Sequence, residues 1–189
     1  MGLKESWIGL IYKVATGSRR VRLFLTPVVG FSYVLFAAFF VVAAFFCDRL
    51  FDLPQFPPAP IHLLLSVPFI FSGLSLMFWS VFHFIRVKGT PVPFNPPPKL
   101  VATGPYAYVR NPMLGGIFLF LFGLAFCYRS LALLFCFTPL FILINVVELK
   151  LIEEPELEMR LGPAYRRYKK QTPMFFPLKG ARFRQESEK

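Results

Sequence analysis

Ionic side chains lie at both ends of one long apolar stretch, with Arg110 before it and Glu153 and Glu154 after it. The planar guanidinium of an arginine can hold a carboxylate through two parallel hydrogen bonds. Two adjacent carboxylates can bind ribose hydroxyls, an ammonium or a sulfonium. Taken singly, these residues are ordinary charges at helix ends, whereas together they predict a site for a small charged molecule.

The apolar stretch between them, Met113–Val147, is interrupted once, at Tyr128-Arg129-Ser130. We interpret it as a helical hairpin made of two membrane helices, residues 113–128 and 130–147. A hairpin brings the segments before and after it to the same face of the membrane. Arg110 and the two glutamates are therefore expected to lie near each other.

The composition is not that of an ordinary soluble domain, because 56% of the 189 residues are hydrophobic and only 16% are charged. Two further apolar runs, residues 24–46 and 61–85, reach the roughly 20 residues that a membrane helix needs. The sequence therefore predicts an all-α polytopic membrane protein with about four transmembrane helices in a single membrane domain. Residues 1–22 are predicted to be a basic interfacial segment, and residues 86–112 a loop of the cofactor site. Residues 148–177 are predicted to be a cytosolic C-terminal amphipathic helix with its cap, which also belongs to the cofactor site.

The basic residues indicate how the chain is oriented. In a four-span arrangement, all of the 21 Lys and Arg residues except Arg49 and Arg129 lie on one side of the membrane. The positive-inside rule then predicts that both termini and the long loop are cytoplasmic. The net charge of +11 is explained by anionic membrane lipids as partners. No nucleic-acid-binding motif is present, and the sequence does not indicate an oligomeric state.

The remaining polar residues predict neither a metal site nor a disulfide. Cys47, Cys127 and Cys136 lie in or beside apolar runs at spacings that match no metal or disulfide pattern, and two histidines cannot form a metal site alone. In the first connection Asp48 and Asp52 balance Arg49, so we expect this loop to be inert.

Several short motifs resemble those of the integral-membrane methyltransferases, which include the isoprenylcysteine carboxyl methyltransferases and the phospholipid N-methyltransferases. They read Gly104-Pro-Tyr-x-x-x-Arg-Asn-Pro-Met-x-x-Gly116, then Glu153-Glu154, then Leu161-Gly-x-x-Tyr165-x-x-Tyr168-x-x-x-x-Pro173. The resemblance covers roughly residues 73–177. Many members have histidine where this chain has Asn111, although an Asn-Pro-Met form is familiar from the phospholipid branch.

This resemblance implies S-adenosylmethionine as the methyl donor, held between the loop before the hairpin and the Glu-Glu segment after it. It implies catalytic roles for Arg110 and Glu154. The cofactor-binding positions that it implies are Gly104, Tyr106, Arg110, Asn111, Pro112, Gly116, Glu153 and Glu154. The resulting hypothesis is methyl transfer to a lipophilic small molecule or lipid, with a carboxylate, an amine or a similar group as the acceptor, at the cytosolic membrane face.

Two other functions stay open from the sequence. The first is an NADPH-dependent membrane reductase of the sterol type, in which basic residues of 166–170 would hold the 2′-phosphate. The second is a non-enzymatic membrane scaffold that uses its basic tail to bind lipid or a partner. Exchange of Glu153 or Glu154 should matter most for a methyltransferase, and exchange of the basic cluster should matter most for the reductase.

Overall fold

A computed structural model describes residues 3–86 and 100–177 of the chain. About half of the predicted cofactor-site loop, residues 87–99, lies outside the described residues. The described part is helical and contains no strand, which confirms the all-α fold class. Its elements in chain order are α1 (Leu3–Ala15), α2 (Arg19–Leu50), α3 (Ile61–Arg86), a 3₁₀ turn (Gly104–Ala107), α4 (Pro112–Tyr128), a π turn (Leu133–Phe137), α5 (Thr138–Glu148), a second π turn (Leu149–Glu153), α6 (Glu154–Leu161) and α7 (Pro163–Gln171).

Three helical segments are long and apolar enough to cross a membrane: Arg20–Leu50, Ile61–Arg86 and Leu133–Leu161. Helix α4 is apolar but has only 17 residues. At about 1.5 Å per residue it is about 26 Å long, somewhat less than the roughly 30 Å of a bilayer core. The protein is a membrane protein, and the fourth span stays a prediction.

The last membrane helix is longer than its apolar sequence predicts. The expected end of the span at Val147 is not a helix end, because the helical path continues from Leu133 to Leu161. Between residues 148 and 161 the chain contains no glycine, and its one proline, Pro155, is accommodated by the π turn that precedes it. Polarity marks where a span leaves the membrane, but it does not end a helix whose backbone hydrogen bonds continue.

Two π turns interrupt this path, and each ends two residues before a proline. Leu133–Phe137 precedes Pro139, and Leu149–Glu153 precedes Pro155. Proline lacks an N–H, and its ring crowds the carbonyl four residues earlier, so a wider turn at that point relieves the crowding. Proline favours such a turn without requiring it, since α2 and α3 hold Pro27 and Pro68 as regular α-helices.

The chain packs as two units. One consists of Gly30–Met77 and Leu114–Val147, and its helices approach closely where glycines remove side chains. A Cβ added at Gly116 would lie 2.7 Å from the Gly73 carbonyl oxygen. Phe141 is fully buried, with the Phe36 and Phe40 rings within 5.4 Å of its own. Small residues and interlocking aromatic rings therefore hold this unit together.

Asp48 organises the hairpin turn within the same unit, contrary to the inert loop that the sequence suggested. Helix α4 ends at Tyr128, and Arg129 has a positive φ of 58°. The Asp48 carboxylate accepts hydrogen bonds from the Ser130 hydroxyl and, at 2.9 Å, from the Ala132 N–H. It thus satisfies backbone and side-chain donors at the start of the last membrane helix, as a capping residue does.

The other unit consists of the described residues within 1–29, 78–113 and 148–177. Its core includes Ala102, Tyr165 and Tyr168, all nearly inaccessible to solvent, with leucines 100, 157 and 161 packed against them. Helix α1, within the predicted interfacial segment 1–22, packs against the second π turn and α6, with Ile8 and Ile11 buried. This unit contains every predicted site residue except Gly116.

Candidate functional site

The predicted site residues belong to three parts of the chain that fold together in one unit. These are the 3₁₀ turn with the residues after it, the start of α4, and the junction between the second π turn and α6. They carry Gly104, Tyr106, Arg110, Asn111, Pro112, Glu153 and Glu154. Gly116 lies in the other unit, where its lack of a side chain permits helix packing.

Arg110 lies at the centre of the hydrogen-bond network of this site. One terminal nitrogen of its guanidinium, Nη2, donates to Glu154 Oε1 at 2.6 Å. The other, Nη1, donates to the backbone carbonyls of Lys169 and Thr172, both at 2.8 Å. The Arg110 and Glu154 side chains are only 11% and 5% exposed. A buried, hydrogen-bonded ion pair of this kind fixes the geometry of the segments that it joins.

The tail runs along the backbone next to Arg110. The N–H of Arg110 donates to the Pro173 carbonyl at 2.8 Å, and the N–H of Asn111 donates to the Met174 carbonyl at 3.1 Å. Thr172 is extended, with φ −118° and ψ 122°. We refer to residues 172–174 as the strap. Arg110 therefore holds the strap with both its side chain and its backbone.

Lys169 completes the network from α7. Its ammonium lies 2.8 Å from Glu154 Oε2 and 2.9 Å from Glu158 Oε1. The hydrogen bond to Glu154, followed by the one to Glu158, raises the pKa of Lys169 above its usual value. Both Glu154 oxygens are thus bound by basic side chains. We call the set Arg110, Glu154 and Lys169 the clasp.

Buried tyrosines lie close to the clasp. The Tyr168 hydroxyl donates to the Tyr106 carbonyl at 2.6 Å, and the Tyr106 ring packs edge-on against Phe84 at 4.9 Å between centroids. Burial, more than any other cause, raises the pKa values of Tyr106, Tyr165 and Tyr168. These phenols therefore stay neutral and act as packing and hydrogen-bonding groups.

Gly104 is required by geometry. Its φ is +59°, a conformation that glycine adopts readily, and a Cβ there would lie 2.7 Å from His83 Nδ1. The other ring nitrogen of His83, Nε2, lies 2.8 Å from the Thr103 hydroxyl oxygen. The 3₁₀ turn is thus fitted closely against the end of α3. Pro112, which begins α4, is fully buried.

Glu153 and Asn111 differ from the clasp residues because their side chains are available to bind a ligand. Both are half-buried, and across residues 3–86 and 100–177 neither side chain has a hydrogen-bond or ion-pair partner. Glu153 also lies within electrostatic reach of Glu148. A π turn pairs residues five apart, so it brings these two carboxylates toward one face of the helix. A helix face that carries two neighbouring carboxylates favours the binding of a cation.

Sequence reasoning assigned residues 148–177 to the cofactor site, but it missed the π turn and the roles of Lys169 and Thr172. Lys169 had been grouped with a basic cluster, and Thr172 had not been singled out. One signal was present: Tyr165, Tyr168 and Thr172 recur at helical spacing among basic residues, which is typical of a buried face. In the part of the chain that the structure describes, no three His, Cys, Asp or Glu side chains cluster as metal ligands would.

A comparison with known protein families matches residues 61–164 to a family described as phospholipid methyltransferase. The match covers more than half of the 189 residues, from the start of α3 into the first turn of α7. It includes Arg110, Glu153 and Glu154, whereas Lys169 and the strap lie beyond it. Comparisons with curated proteins and with solved structures found no match.

Proposed function

Since the chain belongs to the phospholipid methyltransferase family, we propose that it transfers a methyl group from S-adenosylmethionine to a lipophilic acceptor at the cytosolic face of its membrane. Family membership and the apolar helices make it a membrane methyltransferase. The donor, the acceptor class and the orientation are our proposal. The orientation follows from the basic residues, which a four-span arrangement collects on one side.

The observation that carries the proposal is the difference between two adjacent carboxylates. Glu154 is bound by Arg110 and Lys169, whereas Glu153 has no partner within the described residues. S-adenosylmethionine carries a sulfonium, an ammonium and two ribose hydroxyls, each of which an unpaired carboxylate can bind. The amide of Asn111 can donate and accept hydrogen bonds. The side chains available at this site therefore fit the cofactor.

The roles proposed from the sequence change accordingly. Arg110 and Glu154, expected to be catalytic, act here as positioning residues, because each uses its charge to bind the other. Glu153 and Asn111 become the candidate cofactor contacts. The backbone around these contacts is held in place by the packing of Gly104, Tyr106 and Pro112. Gly116 permits helix packing. Most of the specificity for the cofactor would then come from residues outside the ion-pair network.

When bound, S-adenosylmethionine supplies a methyl group that is already activated for transfer. The chain then has to align the acceptor with the cofactor and exclude water. An ammonium acceptor must also lose a proton, and Glu148 or Glu153 can accept it. A carboxylate acceptor needs no base. Both kinds of lipophilic acceptor are compatible with this site.

The test is a calorimetric titration of the detergent-solubilised protein with S-adenosylmethionine, S-adenosylhomocysteine and NADPH. We expect saturable binding of the first two, and loss of that binding in Glu153→Gln. Asp52→Asn is the matched control, since it removes the same charge from an exposed residue of the other unit. Binding of NADPH alone would favour the reductase. Absence of all binding by folded protein in added lipid would favour the scaffold.

A further inference from the structure

Helix α7 presents a basic face to its surroundings. Tyr165 and Tyr168 are buried on one side, whereas Arg166, Arg167 and Lys170 are exposed on the other. Two acidic residues of α6, Glu154 and Glu158, bind Lys169. Lys169 lies next to the buried side, so these carboxylates are engaged away from the exposed face. Helix α7 itself contains no acidic residue, so its exposed side is basic.

An exposed aromatic side chain follows α7 in the chain. Phe176, the second residue after the strap, is 80% exposed and lies outside the three long apolar segments. Burying so large an apolar surface is favourable, and a short segment that combines exposed basic residues with an exposed aromatic ring is typical of segments that lie on a membrane. We call Arg166, Arg167, Lys170 and Phe176 the docking face.

We propose that the docking face binds the anionic head groups of the membrane in which the protein is embedded, with the Phe176 ring inserted between them. Two observations favour lipid over an acidic protein partner. The bilayer is always within reach, because the same chain contains membrane-spanning segments, and an exposed phenylalanine gains most by entering an apolar phase. Each basic residue near an anionic surface strengthens attachment by about fivefold.

Docking would also act on the clasp. Lys169 lies on α7, and the strap connects α7 to Phe176. A helix held at the lipid surface keeps both of these elements against Arg110. Because the proposal concerns the surface of α7, it does not depend on the identity of the cofactor or of the acceptor.

The experiment uses the full chain with Phe176→Trp as a fluorescent probe, after Trp7→Phe and Trp79→Phe remove the native tryptophans. The protein is placed in nanodiscs of brominated phosphatidylcholine with or without phosphatidylserine. We expect bromine to quench the fluorescence of the probe more strongly when phosphatidylserine is present. The quenching should fall as ionic strength rises, because salt screens exposed charges.

Two triple variants test the assignment to α7. R166Q/R167Q/K170Q should abolish the gain in quenching that phosphatidylserine produces. K13Q/R20Q/K150Q removes the same charge from exposed residues elsewhere in the unit and should keep that gain. The salt titration needs no charge variant, so it still tests the attraction of the probe to anionic lipid if the first triple variant does not fold.

Three results would overturn the proposal. One is quenching that is independent of both phosphatidylserine and salt, which would mean purely apolar insertion. Another is an equal loss of quenching in the two triple variants, which would mean a diffuse charge effect. The third is no quenching in any nanodisc combined with a response of the probe to added polyglutamate, which would favour an acidic protein partner. None of these measurements uses S-adenosylmethionine, so the proposed function is tested separately.

Discussion

Exchanging Glu154 and Glu153 separately for glutamine should have two different effects. Glu154→Gln should lower the stability of the fold, whereas Glu153→Gln should weaken ligand binding. Glu154→Gln keeps the shape of the side chain but leaves Arg110, which is 11% exposed, without its anionic partner. Breaking a buried ion pair by removing one charge costs about 3–5 kcal/mol. We expect the lower end, about 3 kcal/mol, because Lys169 keeps Glu158 and glutamine keeps one acceptor oxygen.

For a chain of this size, 1 kcal/mol changes Tm by about 2–4 °C. Glu154→Gln should therefore lower Tm by about 6–12 °C. Glu153 has no hydrogen-bond or ion-pair partner in the described part of the chain and lies near other carboxylates, so Glu153→Gln should not lower the free energy of unfolding by more than about 0.5 kcal/mol. A ligand at a hundred times its Kd adds about 2.7 kcal/mol. The Glu153→Gln variant should lose this stabilisation by the ligand.

The assay is thermal unfolding in one detergent, with and without saturating S-adenosylhomocysteine, and with Asp52→Asn as the charge control. An unchanged Tm for Glu154→Gln would refute the structural role of the clasp. A loss of stability in Glu153→Gln as large as that in Glu154→Gln would show that Glu153 has a structural partner. A full ligand-induced rise in Tm for Glu153→Gln would refute its contact with the ligand.

Three further results are expected. Gly116→Ala should cost about 1–3 kcal/mol in thermal unfolding through overpacking, because its Cβ would lie 2.7 Å from a backbone oxygen. Gly9→Ala has no atom within 4 Å of the added carbon, and equal Tm values for the two variants would contradict the reasoning. Asp48→Ala should cost about 1–2 kcal/mol, because the start of the last membrane helix loses its acceptor; an unchanged Tm would be inconsistent with capping. Raising the pH above about 10 should lower Tm, because burial raises the pKa of Tyr165 and the unfolded chain therefore ionises first. The contribution of Lys169 is complete below its unfolded pKa of about 10.4 and is lost as the pH passes its higher folded pKa. A Tm that stays constant up to about pH 11 would contradict both.

The membrane helices and the meeting of two distant segments could be predicted from the sequence. Long apolar runs identify membrane helices directly, because backbone polar groups in lipid must be satisfied within the helix. A hairpin returns the chain to the membrane face from which it started. Arg110 Nη2 and Glu154 Oε1 are indeed 2.6 Å apart. These predictions needed only hydropathy and chain connectivity.

The choice between Glu153 and Glu154 could not be predicted. The two residues are identical and adjacent, and they differ only in where they point around a helix. That direction depends on the π turn before them and on Lys169, which approaches from α7. Asp48 was missed for the same reason. Its partners at Ser130 and Ala132 are far away in the sequence and are brought close only by packing.

The second π turn makes chain length, rather than side-chain chemistry, a determinant of this site. A π turn contains one residue more than the α-helical turn that it replaces. Deleting one of the apolar residues of this turn, such as Leu151, would leave hydropathy and charge almost unchanged. It would, however, rotate everything that follows by about 100°, carrying Glu154 away from Arg110. In this segment a one-residue gap is thus a more severe change than many substitutions, and alignments across the family should be read with that register in mind.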